Sequence, residues 1–217
     1  MPDLARSRPD APRIAPSDPL PPEAARILDG VLGAPDGSTL NIFGTLAHRP
    51  DLLEPFLALG GHLLLLGRIP AREREIVILR IGVNAAAVYE FGQHRLIGAQ
   101  SGLTEVEIER LADEIDDADW NEDDRALIAL ADDLSADDAV TDATWEMLAR
   151  RWDEGELIEL LVLAGYYRMV SGFLNGAGVR LDAGVPGWRG ADGGRSSSSS
   201  ATAPTSSSAT TSPGRPT

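Results

Sequence analysis

The sequence contains no cysteine, and this absence excludes several kinds of chemistry. Disulfide bonds, thiol nucleophiles, zinc–thiolate sites and redox-active dithiols all need a sulfur that the chain lacks. Lysine is absent as well, because all 19 basic residues are arginine. A lysine Schiff base is therefore excluded, and with it the aldolase and decarboxylase mechanisms that depend on one.

Aromatic residues make up only 5% of the 217 residues, whereas hydrophobic residues make up 43%. The core must therefore consist mainly of Leu, Ile, Val and Ala, which favours packing between helices. No uninterrupted apolar run reaches the roughly 18 residues of a membrane-spanning helix. The N-terminus also lacks the apolar segment of a signal peptide. We therefore expect a cytoplasmic protein with no membrane partner.

Positive charge is scarce. The formal net charge is -15, and 17 carboxylates lie between Glu105 and Glu146 against two arginines. Such a surface repels phosphate backbones, so we predict no nucleic-acid partner. The acidic stretch is typical of a solvated helical face. A surface that binds cations or docks a partner is the alternative.

Composition divides the chain into three segments. Residues 1–22, rich in Pro, Asp and Arg, predict a flexible N-terminal arm. Residues 187–217 include five consecutive serines and predict a disordered tail. Residues 23–186 predict one all-α domain, a multi-helix bundle. Its helices are predicted after Pro22, Pro50 and Pro70, over 85–100, after Thr104, over 121–134 and 141–152, and from Asp153 to Leu174.

A Glu–His pair is the sharpest candidate for chemistry. Glu90 and His94 are four residues apart in a predicted helix, so their side chains lie on one face. A carboxylate can orient an imidazole and raise its pKa, which gives a proton donor or acceptor near neutral pH. An ordinary surface pair is the alternative. Glu75, near the start of the helix after Pro70, is a second acid that we expect to point inward.

Other polar side chains could surround a substrate. Tyr166, Tyr167 and Asn175 on the last helix could wall a pocket, although ordinary core packing also explains them. Arg74 or Arg80 could bind a substrate carboxylate.

A metal site is a further alternative. It would use His94, Glu90 and either His48 or His62. Because one helix supplies only two of these ligands, we predict no metal.

Three sequence motifs, in the same order along the chain, resemble one known family. The runs Leu-Ala-His-Arg-Pro-Asp-Leu-Leu (46–53), Ile-Pro-Ala-Arg-Glu-Arg-Glu-Ile-Val-Ile-Leu-Arg (69–80) and Tyr-Glu-Phe-Gly-Gln-His (89–94) are similar to the carboxymuconolactone decarboxylase family, which includes the alkylhydroperoxidase-D-like proteins. The resemblance covers residues 23–186. It implies an all-α alkylhydroperoxidase-D-like fold, a homo-oligomer of three or six chains, and a pocket near a subunit boundary.

The redox branch of this family carries a Cys-x-x-Cys-x-x-x-His motif and an upstream Glu. Alignment on the histidine places His94 at the family histidine and Glu75 at the upstream acid. Ala87 and Glu90 then stand where the two cysteines would be. Thiol peroxidase activity therefore cannot be carried over. The decarboxylase branch resembles this sequence better, since it works without cysteine, metal or organic cofactor.

The resemblance therefore implies a cofactor-independent lyase acting on a small carboxylated lactone or carbonyl compound. In this interpretation His94 is the general acid or base, Glu90 orients it, and Glu75 holds or relays a second proton. The alternative is a non-catalytic oligomeric helical scaffold, or a small-molecule binding protein with a vestigial pocket. The predicted substrate-binding side chains are Tyr89, Arg74, Tyr166, Tyr167 and Asn175.

Overall fold

The computed structural model describes residues 9, 11–31, 33–34, 36–113, 115 and 119–187. This part of the chain contains nine α-helices, one π-helical segment and no strand, so the predicted all-α bundle is confirmed. The helices are α1 (Pro22–Ile27), α2 (Asn41–Leu46), α3 (Pro50–Gly61), the π-helical segment (His62–Leu66), α4 (Ala71–Asn84), α5 (Val88–Gln100), α6 (Glu105–Ala112), α7 (Glu122–Asp137), α8 (Asp142–Leu148) and α9 (Glu154–Ala177).

Local sequence explains where several helices begin and end. Pro22 and Pro50 occupy the first turn of α1 and α3, where a helix loses nothing by the missing N–H. Thr104 and Asp153 open α6 and α9 with reciprocal hydrogen-bonded caps. Helix α9 ends at Gly178, whose φ of 72° is the left-handed conformation that glycine tolerates best.

The structure differs from the prediction at several places, and the helix predicted over 141–152 ends at Leu148. The stretch Asn41–Leu46 forms a helix that was not predicted, because six residues are too few to show a helical period. The helix that starts at Pro50 changes to π-helical geometry at His62. The helix predicted over 85–100 starts only at Val88, because the chain turns before it with a φ of 48° at Ala86.

Helix α4 is the central helix of the bundle. It packs against α5, α6, α7 and α9. Ile76, Leu79 and Ile81 are completely buried. Because neighbouring helices cover most of its surface, the polar residues Arg74 and Glu75 are buried as well.

The described part of the predicted N-terminal arm is bound to the bundle. The Arg13 N–H donates to the Ala177 carbonyl at 2.8 Å, and the Ser17 N–H donates to the Gly44 carbonyl at 2.9 Å. Residues 11–21 of the predicted arm therefore lie against the bundle. The first eight residues and the predicted tail from residue 188 onward lie outside the described residues.

Helix α9 is long and apolar enough to cross a membrane when judged by length and composition alone. The sequence contains no uninterrupted apolar run of this length. Helix α9 meets the criterion because a few charged residues are allowed within the segment. Half of the apolar window is buried in the bundle, and a central helix of a helical domain meets the same two criteria.

Candidate acid–base site

A buried imidazole lies between two carboxylates where α4 and α5 pack together. His94 Nδ1 is 2.6 Å from Glu75 Oε2, and His94 Nε2 is 3.1 Å from Glu90 Oε1. Glu75 is completely buried, and Glu90 and His94 are 3% and 5% exposed. Glu90 shares the helix of His94, whereas Glu75 comes from α4. The structure thus brings the three predicted acid–base residues into one cluster shielded from solvent.

The charge state of His94 follows from two opposing effects. Burial lowers the pKa of His94, because a desolvated imidazolium is costly. The charges and hydrogen bonds of Glu75 and Glu90 outweigh burial and raise this pKa to about 10. At neutral pH this raised pKa keeps His94 protonated, with Nδ1 donating to Glu75 and Nε2 within ion-pair distance of Glu90. Of the two predicted roles, acid and base, a protonated imidazole favours the acid.

Arg74 brings the formal charge of the cluster to zero. Its Nε donates to Glu75 Oε1 at 3.0 Å, and its side chain is only 10% exposed. Its Nη1 and Nη2 atoms make no hydrogen bond to the described part of the chain. A guanidinium with two unbonded nitrogens presents the geometry that binds a carboxylate.

Tyr167 reaches the cluster from α9. Its ring meets the imidazole of His94 edge-on, with the ring centroids 4.9 Å apart. Burial, together with the charges of Glu90 and Glu75, raises the pKa of Tyr167 well above its ordinary value. The hydroxyl therefore stays protonated and is a hydrogen-bond donor beside the cluster.

Tyr166 lies beside Tyr167 but turns its hydroxyl away from the cluster. The two tyrosine rings meet edge-on at 5.3 Å. The Tyr166 hydroxyl donates to the Phe56 carbonyl at 2.9 Å, which joins α9 to α3. Its polar atom is thus used in helix packing.

Tyr89 and Asn175 do not join the cluster. The Tyr89 hydroxyl donates to Asp182 at 2.6 Å, and Asn175 Nδ2 donates to the Ala85 carbonyl at 2.9 Å. Both residues line a shallow cleft between the ends of α4 and α9 and the start of α5. Tyr89 points there because adjacent residues on a helix lie on different faces. The structure does not support the prediction that these two side chains share a site with His94.

The structure also places the candidate ligands of the alternative metal site apart from one another. His48 Nε2 lies 3.0 Å from the Ala15 carbonyl, and His62 is exposed on the π-helical segment. Across the residues described, no group of three His, Cys, Asp or Glu side chains suits a metal ion. His94 and Glu90 therefore lack the third ligand that this alternative requires.

The acidic stretch supplies partners for arginines of α4. Arg80 donates to Asp132 at 2.6 Å, and Arg72 binds Asp124 at 2.8 Å and Glu107 at 2.6 Å. Arg80, considered above as a carboxylate binder, is thus held by an ion pair with Asp132 on the side of α4 that faces α7.

Two buried polar residues near the site were not predicted. Ser171 is completely buried, and within the described chain its hydroxyl has no hydrogen-bond partner. Its position one turn after Tyr167 was a signal available in the sequence. Asp182 is 5% exposed and accepts hydrogen bonds from Tyr89 and from Gln93, each at 2.6 Å. Asp182 follows the end of α9, where no periodicity applies.

Several solved structures share this fold. A peroxidase-related protein from Ralstonia eutropha JMP134, described as an alkylhydroperoxidase AhpD core, is 24% identical, with a TM-score of 0.67 over 78% of this chain and 93% of that chain. A peroxidase-related protein from Silicibacter sp. TM1040 is 18% identical, with a TM-score of 0.67 over 84% and 95% of the two chains. A cysteine-to-alanine variant of the debrominase Bmp8 in complex with 2,3,4-tribromopyrrole is 20% identical, with a TM-score of 0.66 over 78% and 91%. No protein-family model and no curated protein matches the sequence.

The chain therefore shares the all-α fold of the alkylhydroperoxidase-D-like, carboxymuconolactone decarboxylase-type proteins. The predicted resemblance to this group is confirmed by the fold. At these identities the likeness concerns the fold alone. The chemistry has to be argued from the cluster around His94.

Proposed function

We propose that this chain is a cofactor-independent, carboxymuconolactone decarboxylase-like lyase that acts on a small carboxylated lactone or carbonyl compound. The observation that carries the proposal is an imidazole held between two carboxylates inside the bundle. Burying an ion costs several kcal/mol, and apolar side chains of similar size would pack this core at lower cost. A cluster that stability does not require is a reason to infer chemistry.

The proposed reaction needs an electron sink and one proton. The bond between carbon and the leaving carboxylate breaks, CO2 departs, and the electron pair moves into the substrate carbonyl to give an enolate. Because carboxylates hold both ring nitrogens of His94, its proton reaches the carbon through Glu90, and solvent later returns it. Glu90 thus takes the relay role that the sequence predicted for Glu75. Glu75 keeps the imidazole oriented and charged. The protein thus contributes orientation and proton transfer.

Arg74 and Tyr167 are the substrate-binding residues in this proposal. The two unbonded nitrogens of Arg74 suit a carboxylate of the substrate. The protonated hydroxyl of Tyr167 suits the oxygen on which enolate charge develops, because a donor in a desolvated site stabilises such charge strongly.

The second candidate is a non-catalytic scaffold or small-molecule binding protein with a vestigial pocket. One observation favours it. Glu75, Glu90 and His94 are at most 5% exposed in the single chain, which leaves a substrate little direct access to them. Assembly as a trimer or hexamer, which the resemblance implies, belongs to both candidates.

Release of CO2 from a panel of carboxylated lactones and β-keto acids separates the two candidates. We expect activity in the wild type and a loss of about 100-fold to 10,000-fold in His94→Ala and in Glu90→Gln. Glu73→Gln, on the outer face of α4, is the matched control and should keep full activity. Thermal unfolding of each variant shows whether it is folded. A wild type that releases no CO2 from any compound, or a folded Glu90→Gln variant with wild-type rates, contradicts the enzyme and leaves the scaffold.

A further inference from the structure

One line of residues along α9 is exposed and has no partner in the described chain. Its members follow one another at alternating spacings of four and three, the pattern by which one helix packs against another. All are apolar or glycine, and the three large ones are 63%, 43% and 49% exposed. We name these residues the α9 seam: Ile158, Val162, Gly165, Met169, Gly172 and Gly176.

The glycines of the seam have no explanation within a single chain. A Cβ added at Gly165, Gly172 or Gly176 would meet nothing within 4 Å. A glycine inside a helix costs about 1 kcal/mol relative to alanine. Because alanine would fit and would stabilise the isolated helix, these positions indicate close approach by another backbone.

The order of large residues and glycines along the seam indicates that the approaching backbone is a second copy of α9. If a second α9 lies antiparallel to the first, with a two-fold axis at the level of residue 167, every large side chain of the seam meets a glycine of the other copy. Alternation of large and small residues across a contact lets two helices interdigitate. An interface between identical surfaces requires this self-complementarity. The facing pairs are Ile158 with Gly176, Val162 with Gly172, and Met169 with Gly165.

Residues beside the seam also face matching residues of the second copy across this two-fold axis. Half-buried Leu161 lies at the level of half-buried Phe173 of the second copy, and exposed Glu154 lies near the level of exposed Arg180. The net charge of -15 makes two copies repel each other over most of their surface. The uncharged seam, with opposite charges at its two ends, is where this repulsion is lowest. A parallel contact would instead place Glu154 beside Glu154.

We propose that the α9 seam is a two-fold docking surface for a second copy of this chain, with antiparallel α9 helices in contact across the three glycines. A two-fold contact exists in a dimer and in a hexamer with dihedral symmetry, but not in a simple trimer. The inference does not depend on the proposed reaction. Tyr167 projects from the opposite face of α9 at the level of the axis, so docking braces the helix that closes the His94 cluster.

The absence of cysteine allows a direct test by disulfide formation. Val162→Cys and Gly172→Cys are purified separately, mixed to allow subunit exchange, and oxidised. We expect a disulfide between the two variants, because these positions face each other. Each variant alone should cross-link poorly, since identical positions lie ten residues, or about 15 Å, apart along the helix axis. Efficient cross-linking of Val162→Cys with itself would establish a parallel contact and overturn the proposal.

Sedimentation at micromolar concentrations tests the same surface without cysteine. Gly172→Glu places charge at the contact, and we expect its assembly to have half the mass of the wild type at unchanged helix content. Leu65→Glu, at an 82% exposed leucine outside the seam, is the control and should keep the wild-type mass. A monomeric wild type, or dissociation in Leu65→Glu alone, overturns the proposal. Binding of the wild type but not Gly172→Glu to phosphatidylcholine vesicles would assign the seam to a membrane instead.

Discussion

The protein holds two kinds of ion pair with similar distances and different surroundings. Around His94 the charged groups are at most 8% exposed. Between α7 and the segment after α8, Arg150 and Glu122 form a pair whose side chains are 63% and 58% exposed. Water can replace either partner of the exposed pair, whereas removal of a buried partner leaves an uncompensated charge. Burial, not distance, therefore ranks these interactions.

The largest effect is expected at Glu75. Glu75→Ala removes a carboxylate that binds both His94 and Arg74, and it leaves two buried cations facing one acid. Breaking a buried pair in this way costs about 3–5 kcal/mol. Chemical unfolding followed by circular dichroism measures the change in the free energy of unfolding.

A matched substitution two residues earlier sharpens this comparison. Glu73 binds Arg151 at 2.6 Å, and the side chains of Glu73 and Arg151 are 15% and 33% exposed, against 0% for Glu75. We expect Glu73→Ala to cost about 1 kcal/mol or less. Equal losses in Glu73→Ala and Glu75→Ala would show that burial does not separate the two regions.

The next effect is a dependence of stability on pH. The pKa of His94 is raised from its ordinary 6.5 to about 10 in the folded chain. The stabilisation is fully present below about pH 6.5 and is lost as pH rises towards 10, because the folded state keeps a proton that the unfolded chain has released. The free energy of unfolding should fall by up to about 1.4 kcal/mol per pH unit in this window.

Two measurements test this window. Denaturant unfolding at a series of pH values should show the slope in the wild type, and His94→Gln should remove most of it. The ring nitrogen signals of His94, one of three histidines, should titrate near pH 10 in NMR spectra. A titration of His94 between pH 6 and 7 would mean that the two carboxylates do not hold the proton.

The two regions also differ in how far sequence could predict them. The spacing of Glu90 and His94 settles their pairing, because four residues along a helix return to the same face. Their contact with Glu75 depends on how α4 packs against α5, and periodicity within one helix carries no information about its neighbour. The family resemblance supplied that link.

The structure brings only some of the predicted substrate-binding residues together, for a related reason. Tyr89 and Asn175 are close in sequence to residues of the cluster, but each turns to a different side of its helix. Asp182, which binds Tyr89, lies beyond α9, where neither spacing nor composition marks it. The α9 seam was visible in the sequence as spacing alone. Its exposure, and hence its need for a partner, follows only from the packing of α9 on α4, α5 and α7.

The smallest effect is expected at the exposed end of the comparison. Arg150→Gln removes the partner of Glu122 and leaves both side chains in water, so the free energy of unfolding should fall by about 0.5 kcal/mol or less. Salt at about 1 M should abolish even this difference, because the Debye length then shortens to about 3 Å. Arg72→Gln is the intermediate case, since Arg72 binds Asp124, whose side chain is only 4% exposed. Its loss should exceed that of Arg150→Gln and persist in salt. If unfolding experiments give Arg150→Gln the larger loss, exposure is not the quantity that orders the arginine pairs of this protein.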